Sequence, residues 1–262
     1  EQVAAILTRL IDAVDRKITE LNAFYAIKSS PQKDMINSLT YVCFGWSKLS
    51  FDESSGNIVL NTSRTALGYN DYYLPEGFSQ RLESARQAGV ATLLIVQALQ
   101  DEKIKDPETG ISTGLAEYVL THPGVYRKVI DDIISALNHV ELGDEQGFFD
   151  GVAIDFEGLK GEKLRGCFND FLKELKTALD QEGKKLFVAV HPLIHPKVSP
   201  SSFDGYDYRT IGDLADRVIL MAHDYDAKRL TEAEMARGVT ETPLTPIENV
   251  YYALRAITDP DT

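Results

Sequence analysis

Apolar residues near the start of the chain recur at steps of three and four: Val3, Leu7, Leu10, Val14, Ile18 and Leu21. That spacing puts them along one face, so residues 1–21 are expected to form an amphipathic helix or a linker ahead of the main domain. The period then changes. Short, nearly continuous apolar runs bounded by turn residues follow: NAFYAI (22–27), SLTYVCFGW (38–46), VATLLIVQAL (90–99), FFDGVAIDFEGL (148–159), KLFVAVHP (185–192) and DRVILMAHDYD (216–226). Their length and flanking Gly, Pro, Ser and Asn residues read as strands.

Between them lie segments with helical character. FSQRLESARQAG (78–89) stops at a glycine, and a helical stretch from GLAEYVL to SALNHV is broken at Pro123-Gly124. A long helix over 162–182 ends at Gly183, a short one covers 207–215, and another begins at 246–257. A hairpin is expected around 57–61, in a stretch rich in Gly, Asn and Ser.

Apolar strands alternating with helices imply a parallel sheet covered on both faces. The expected architecture for 22–262 is an α/β TIM (β/α)8 barrel with six βα units readable; a doubly wound open sheet is the alternative. A closed barrel needs two more strands, so the chain is expected to continue past Thr262. Otherwise another element, such as the N-terminal helix, must close the gap.

With 262 residues, 44% hydrophobic and 26% charged, the composition suits one large domain. A formal net charge of −13 repels phosphates, which argues against a nucleic-acid partner and is compatible with a neutral glycan. No apolar run is long enough to insert in a membrane. The chain begins at Glu1, read as a processed or trimmed form, so a missing leader says little about compartment. Cys43 and Cys167 belong to no metal or redox motif and are expected to be buried free thiols.

The candidate chemistry lies in the fourth strand. Side chains alternate along a strand, so Ala153, Asp155 and Glu157 share one face and Val152, Ile154 and Phe156 the other. The apolar set suits the helix-packed outside. The acidic set then points into the barrel near the strand's C-terminal end, where such barrels build their sites. Asp155 and Glu157 have Cα atoms roughly 6.5–7 Å apart. Two carboxyls that close and partly desolvated cannot both ionise freely, so one remains a usable acid near neutral pH. A lone acid at a strand end would more simply cap a helix or pair with a neighbour. Two acids ending an otherwise apolar strand favour function.

The segment DGVAIDFE (150–157) resembles the D-G-x-D-x-D-x-E signature of glycoside hydrolase family 18, the TIM-barrel family of chitinases and endo-N-acetylglucosaminidases. MAHD (221–224) is similar to the family's M-x-Y-D element. FYAIKSS (24–30) and YVCFGW (41–46) resemble the bacterial branch associated with spore-cortex and cell-wall hydrolysis. The resemblance implies Glu157 as general acid/base and Asp155 as the residue that orients the substrate's 2-acetamido group, whose carbonyl oxygen attacks the anomeric carbon with retention. It further implies that Asp150, grouped with the substrate-binding residues, supports the strand from its buried end, and that Met221, His223 and Asp224 line the sugar subsite. The sequence departs from the pattern in three places. Ala153 replaces the middle Asp, His223 replaces the Tyr of M-x-Y-D with Tyr225 as a substitute, and the aromatic floor of the last strand is absent.

Tyr25 and Gln97, at other strand ends, are candidates to point inward, and His191, ending the fifth strand at the barrel mouth, is either a structural histidine or a substrate contact. Trp46 is expected in the core rather than against a sugar. A divalent cation held by Asp155, Glu157, Asp224 and Asp226 ranks below glycosidase chemistry, so no metal or other cofactor is expected. The reading is a secreted or cell-surface hydrolase of β-1,4-linked N-acetylglucosamine polysaccharide, of chitin or peptidoglycan type. The rival is a non-catalytic, lectin-like barrel, which the retained Glu157 disfavours and Ala153 favours.

Overall fold

The computed structural model describes residues 19–194, 204–223, 230–238, 240 and 247–258. The helix expected over 1–21 falls, up to residue 18, outside them. Strand β1 (Asn22–Tyr25) is followed by 3₁₀ turns over Ile27–Ser38, then β2 (Tyr41–Asp52) and β3 (Asn57–Asn61). Helix α1 (Phe78–Gln87) leads into β4 (Ala91–Leu99) and a small hairpin of β5 (Lys103–Lys105) and β6 (Ser112–Gly114). Helices α2 (Leu115–Thr121) and α3 (Pro123–Asn138) meet at the expected break, with Pro123 in the first turn of α3, where its missing N–H costs nothing. A second small hairpin, β7 (Val140–Leu142) and β8 (Glu145–Gly147), precedes β9 (Gly151–Glu157), α4 (Glu162–Gln181) and β10 (Lys185–Val190). Then come α5 (Tyr208–Leu214), β11 (Arg217–Leu220), α6 (Glu232–Ala236) and α7 (Ile247–Thr258).

Six strands pair in parallel in the order β1-β2-β4-β9-β10-β11, and β3 folds back antiparallel on the end of β2. Among the described residues strand order follows chain order without reversal, so these strands have no switch point and the doubly wound alternative fails. The sheet is also strongly curved. Tyr41 on β2 and Phe187 on β10 have ring centroids 5.0 Å apart, although two strands lie between theirs. In a flat sheet those strands would be roughly 14 Å apart, so the rings meet across a barrel interior. At the strands' starts, Arg217 of β11 pairs with Glu20, just ahead of β1.

Strand alternation creates two separate apolar layers. Val152, Ile154 and Phe156 face out, where Phe156 stacks on Phe171 and Phe168 of α4 at 5.2 and 5.9 Å. Ala153 faces in, clustered with Cys43, Leu93, Ile95 and Phe187. A bulge in β2, where Phe44 pairs with Leu94 but Ser47 with Val96, shifts the parity beyond it. Lys48 consequently takes the register position beside the inward-facing Gln97. Cys43 is buried and free, whereas Cys167 is free but only partly buried. Trp46 is core, stacked on Phe44 at 4.0 Å and edge-on to Phe78 at 6.3 Å.

Candidate active site

Strand β9 delivers its two acids to the C-terminal rim of the sheet. Asp155 is 7% exposed, and its Oδ1 finds no hydrogen-bond partner among the described residues. Burial, then the neighbouring Glu157 charge, push its carboxyl up to about 7. Glu157 is more open. Burial raises its pKa, the Gln97 amide lowers it, Asp101 raises it and His223 lowers it, in that order of size. The rim therefore holds two carboxyl groups that keep their protons to higher pH than exposed acids do.

Gln97, which pairs in register with Asp155, donates from Nε2 to Tyr72 Oη at 2.7 Å, and the same nitrogen lies 3.5 Å from Glu157 Oε1. His191, the residue after β10, sits with Nε2 3.8 Å from Glu157 Oε2 and accepts the Gly158 N–H on Nε2 at 3.2 Å. An acceptor nitrogen carries no proton. Burial first, then His223 and Lys160, hold the imidazole down to about 4, so His191 is neutral near pH 7 and its contact with Glu157 is not an ion pair.

Behind these residues, Tyr206 donates to the Phe156 carbonyl at 2.6 Å and Tyr208 donates to the His191 carbonyl at 2.8 Å. The segment carrying Tyr206 packs so tightly on the β9–α4 corner that a Cβ at Gly205 would lie 2.5 Å from the Leu159 backbone. Only glycine permits that approach.

The structure thus brings Asp155, Glu157, Gln97 and His191 together, with His223 near enough to influence both Glu157 and His191 electrostatically. Met221 follows β11, its N–H donated to the Val190 carbonyl at 3.0 Å. Two expected residues lie elsewhere. Tyr25 pairs with Phe44 in register, so its side chain joins the outer layer, packing on Phe44 and Trp46 with ring centroids 5.4 and 6.4 Å away. Asp150 stands at the opposite end of β9, roughly 23 Å of strand from Glu157. Its carboxylate accepts the Thr92 N–H and hydroxyl at 2.8 and 2.9 Å, fastening the start of β4. It is a support and does not line the site. Asp224 and Tyr225 fall outside the described residues.

Three residues were missed by sequence reasoning: Tyr72, Tyr206 and Tyr208. Tyr72 lies in the irregular stretch GYNDYYLPEG (68–77), where no periodicity distinguishes one tyrosine from the next. A groove of about 710 Å³ lies beside the site rather than in it. It runs between the β2–β3 and β5–β6 hairpins, is lined by Lys48, Phe51, Tyr69, Glu102 and Lys105, and excludes both carboxyl groups. A 2.8 Å ion pair between Lys48 and Glu102 spans it. No cluster of three metal-ligating side chains occurs among the described residues, and Asp224 and Asp226 lie outside them. No described helix is long and apolar enough to cross a membrane.

Comparison with known proteins places this geometry in context. The sequence profile of glycosyl hydrolases family 18 matches residues 107–258. The cortical fragment-lytic enzyme of Bacillus subtilis (strain 168) is 26% identical over 133 residues, 51% of this chain and 27% of that protein. The crystal structure of the Bacillus cereus spore cortex-lytic enzyme SleL superposes with a TM-score of 0.60 at 17% identity, over 92% of this chain and 49% of that one. A chitinase from Chromobacterium violaceum gives a TM-score of 0.61 at 15% identity, over 92% of this chain and 65% of that one. The chain spans only about a quarter of the curated relative's length. At these identities the solved structures establish the fold: the curved six-stranded sheet is part of a TIM barrel.

Proposed function

This chain belongs to glycosyl hydrolases family 18, and from that premise we propose that it hydrolyses β-1,4-linked N-acetylglucosamine glycans, of chitin or peptidoglycan type, by a substrate-assisted, retaining mechanism. One observation carries the reading: Asp155 and Glu157 stand on the inner face at the end of β9, both with raised pKa values. Glu157, the more accessible of the two, donates its proton to the glycosidic oxygen as the bond to the leaving sugar breaks. The substrate's own acetamido oxygen attacks the anomeric carbon, so no protein nucleophile is required. Asp155, buried beside it with a free Oδ1, accepts the acetamido N–H and steadies the charge that develops. Glu157, now ionised, takes a proton from the water that opens the cyclic intermediate on the same face, which retains configuration.

The cell wall or another extracellular polymer is the proposed setting, in keeping with the cortex-lytic relatives named above. A second reading, a lectin-like barrel, draws on Ala153. Where the family signature has a carboxylate, this chain packs a methyl group among Cys43, Leu93, Ile95 and Phe187, so Asp155 has no acid behind it. Turnover of a chromogenic N-acetylglucosamine oligosaccharide separates the two. Glu157→Gln should lower kcat by about 10²- to 10⁴-fold while sugar binding persists. Binding without turnover in the unaltered protein would replace the enzyme with the lectin.

A further inference from the structure

The loop from β3 to α1 is tied to itself in a way that serves one side chain. Asn70, 6% exposed, accepts the Tyr72 N–H on Oδ1 at 2.9 Å and donates from Nδ2 to the carbonyls of Ser63 and Tyr72. The Asn70 N–H reaches the Arg64 carbonyl and the Leu74 N–H the Thr62 carbonyl, each at 2.9 Å, and Leu74 is buried. The backbone on both sides of Tyr72 is thereby fixed. The ring lies against Gly45, beside the β2 bulge, where an added Cβ would stand 3.8 Å from Cδ1. The ring ends in a hydroxyl that meets Gln97 at the acidic rim.

The Gln97 nitrogen can only donate, and it faces Tyr72 Oη at 2.7 Å and Glu157 Oε1 at 3.5 Å. Tyr72 Oη is therefore the acceptor, and its own hydrogen remains for another group. Among the described residues that hydrogen has no acceptor. Burial, then the charges of Asp155 and Glu157, push the phenol up to about 12, which keeps the hydrogen in place at any working pH.

We propose that Tyr72 is a substrate-contact residue, donating its hydroxyl hydrogen to an uncharged oxygen of the sugar held against Asp155 and Glu157, while its oxygen anchors Gln97. The proposal rests on the glycosidase reading. An anionic ligand group is disfavoured there by the two acids, so a sugar hydroxyl or amide carbonyl is the chemistry that fits.

Tyr72→Phe deletes the donor and keeps the ring. In a Glu157→Gln background, binding of an N-acetylglucosamine oligosaccharide measured by calorimetry should weaken roughly five- to tenfold, the loss of one hydrogen bond. In the active enzyme KM should rise by the same factor while kcat changes little. Gln97→Met tests the other role. It removes the amide that lowers the Glu157 pKa, so the alkaline limb of kcat should move to higher pH. If Tyr72 were only a strut for Gln97, Tyr72→Phe would shift that limb and leave affinity alone. An active enzyme in which Tyr72→Phe changes neither KM nor affinity by more than twofold overturns this proposal and spares the glycosidase reading. A chain that neither cleaves nor binds the glycan overturns both.

Discussion

At Asp155 the physics is a contest between burial and charge, and burial prevails. The carboxyl is pushed from its ordinary 3.8 up to about 7. A folded pKa above the unfolded one means that the folded state holds the proton more tightly. The associated stability is complete below about pH 4 and is lost as pH rises through about 7, on the order of 4 kcal/mol in all. Asparagine does not titrate. Relative to the native protein, Asp155→Asn should therefore gain stability progressively between pH 4 and pH 8. Urea unfolding at pH 4, 6 and 8 measures it, and a difference that stays flat with pH would show that Asp155 is not the buried titrating group. Asp155 and Glu157 were legible in the sequence because acid residues at an apolar strand's end are conspicuous and strand parity is local. Tyr72 was not, because its importance comes from a partner 25 positions away on β4.

At the scale of elements, parallel pairing between β9 and β10 brings backbones into close register. Gly151 pairs with Lys185, and a Cβ at 151 would lie 2.4 Å from the Lys185 carbonyl oxygen and 2.9 Å from its Cα. Backbone cannot swing aside as a side-chain tip can. Gly151→Ala should cost about 1–3 kcal/mol in chemical denaturation, the usual range for overpacking, and the strand that carries both acids should shift with it. A midpoint unchanged from the native protein would mean that the strands part without penalty. The six strands and the longer helices were readable because their apolar runs and stripes exceed the noise of composition. The face of Tyr25 was not. In NAFY, Phe24 and Tyr25 are both large and apolar, so parity had no anchor until pairing with Phe44 assigned Tyr25 to the outer layer. The bulge after Phe44 was equally hidden, since it is a property of two strands together.

For the molecule as a whole, the question is what holds the curvature. The Glu20–Arg217 ion pair links the two ends of the sheet, but the Arg217 side chain is 46% exposed and that of Glu20 is 26% exposed. Water and salt screen such a pair, so Glu20→Gln should leave the unfolding midpoint almost unchanged. Phe187, by contrast, is completely buried in the inner layer against Tyr41. Phe187→Ala should cost about 3–5 kcal/mol, measured by the same denaturation curves. The reverse ranking would mean that the ends, not the interior, set the curve.

The sequence by itself determined the alternation of strand and helix, the two faces of β9 and the acids at its end, because each depends on neighbours a few residues apart. Only the tertiary structure decided which residues meet those acids. Gln97, His191, Tyr72 and the neutral state of the imidazole are products of register, curvature and shared burial, and none of these is recorded in the spacing of residues along the chain.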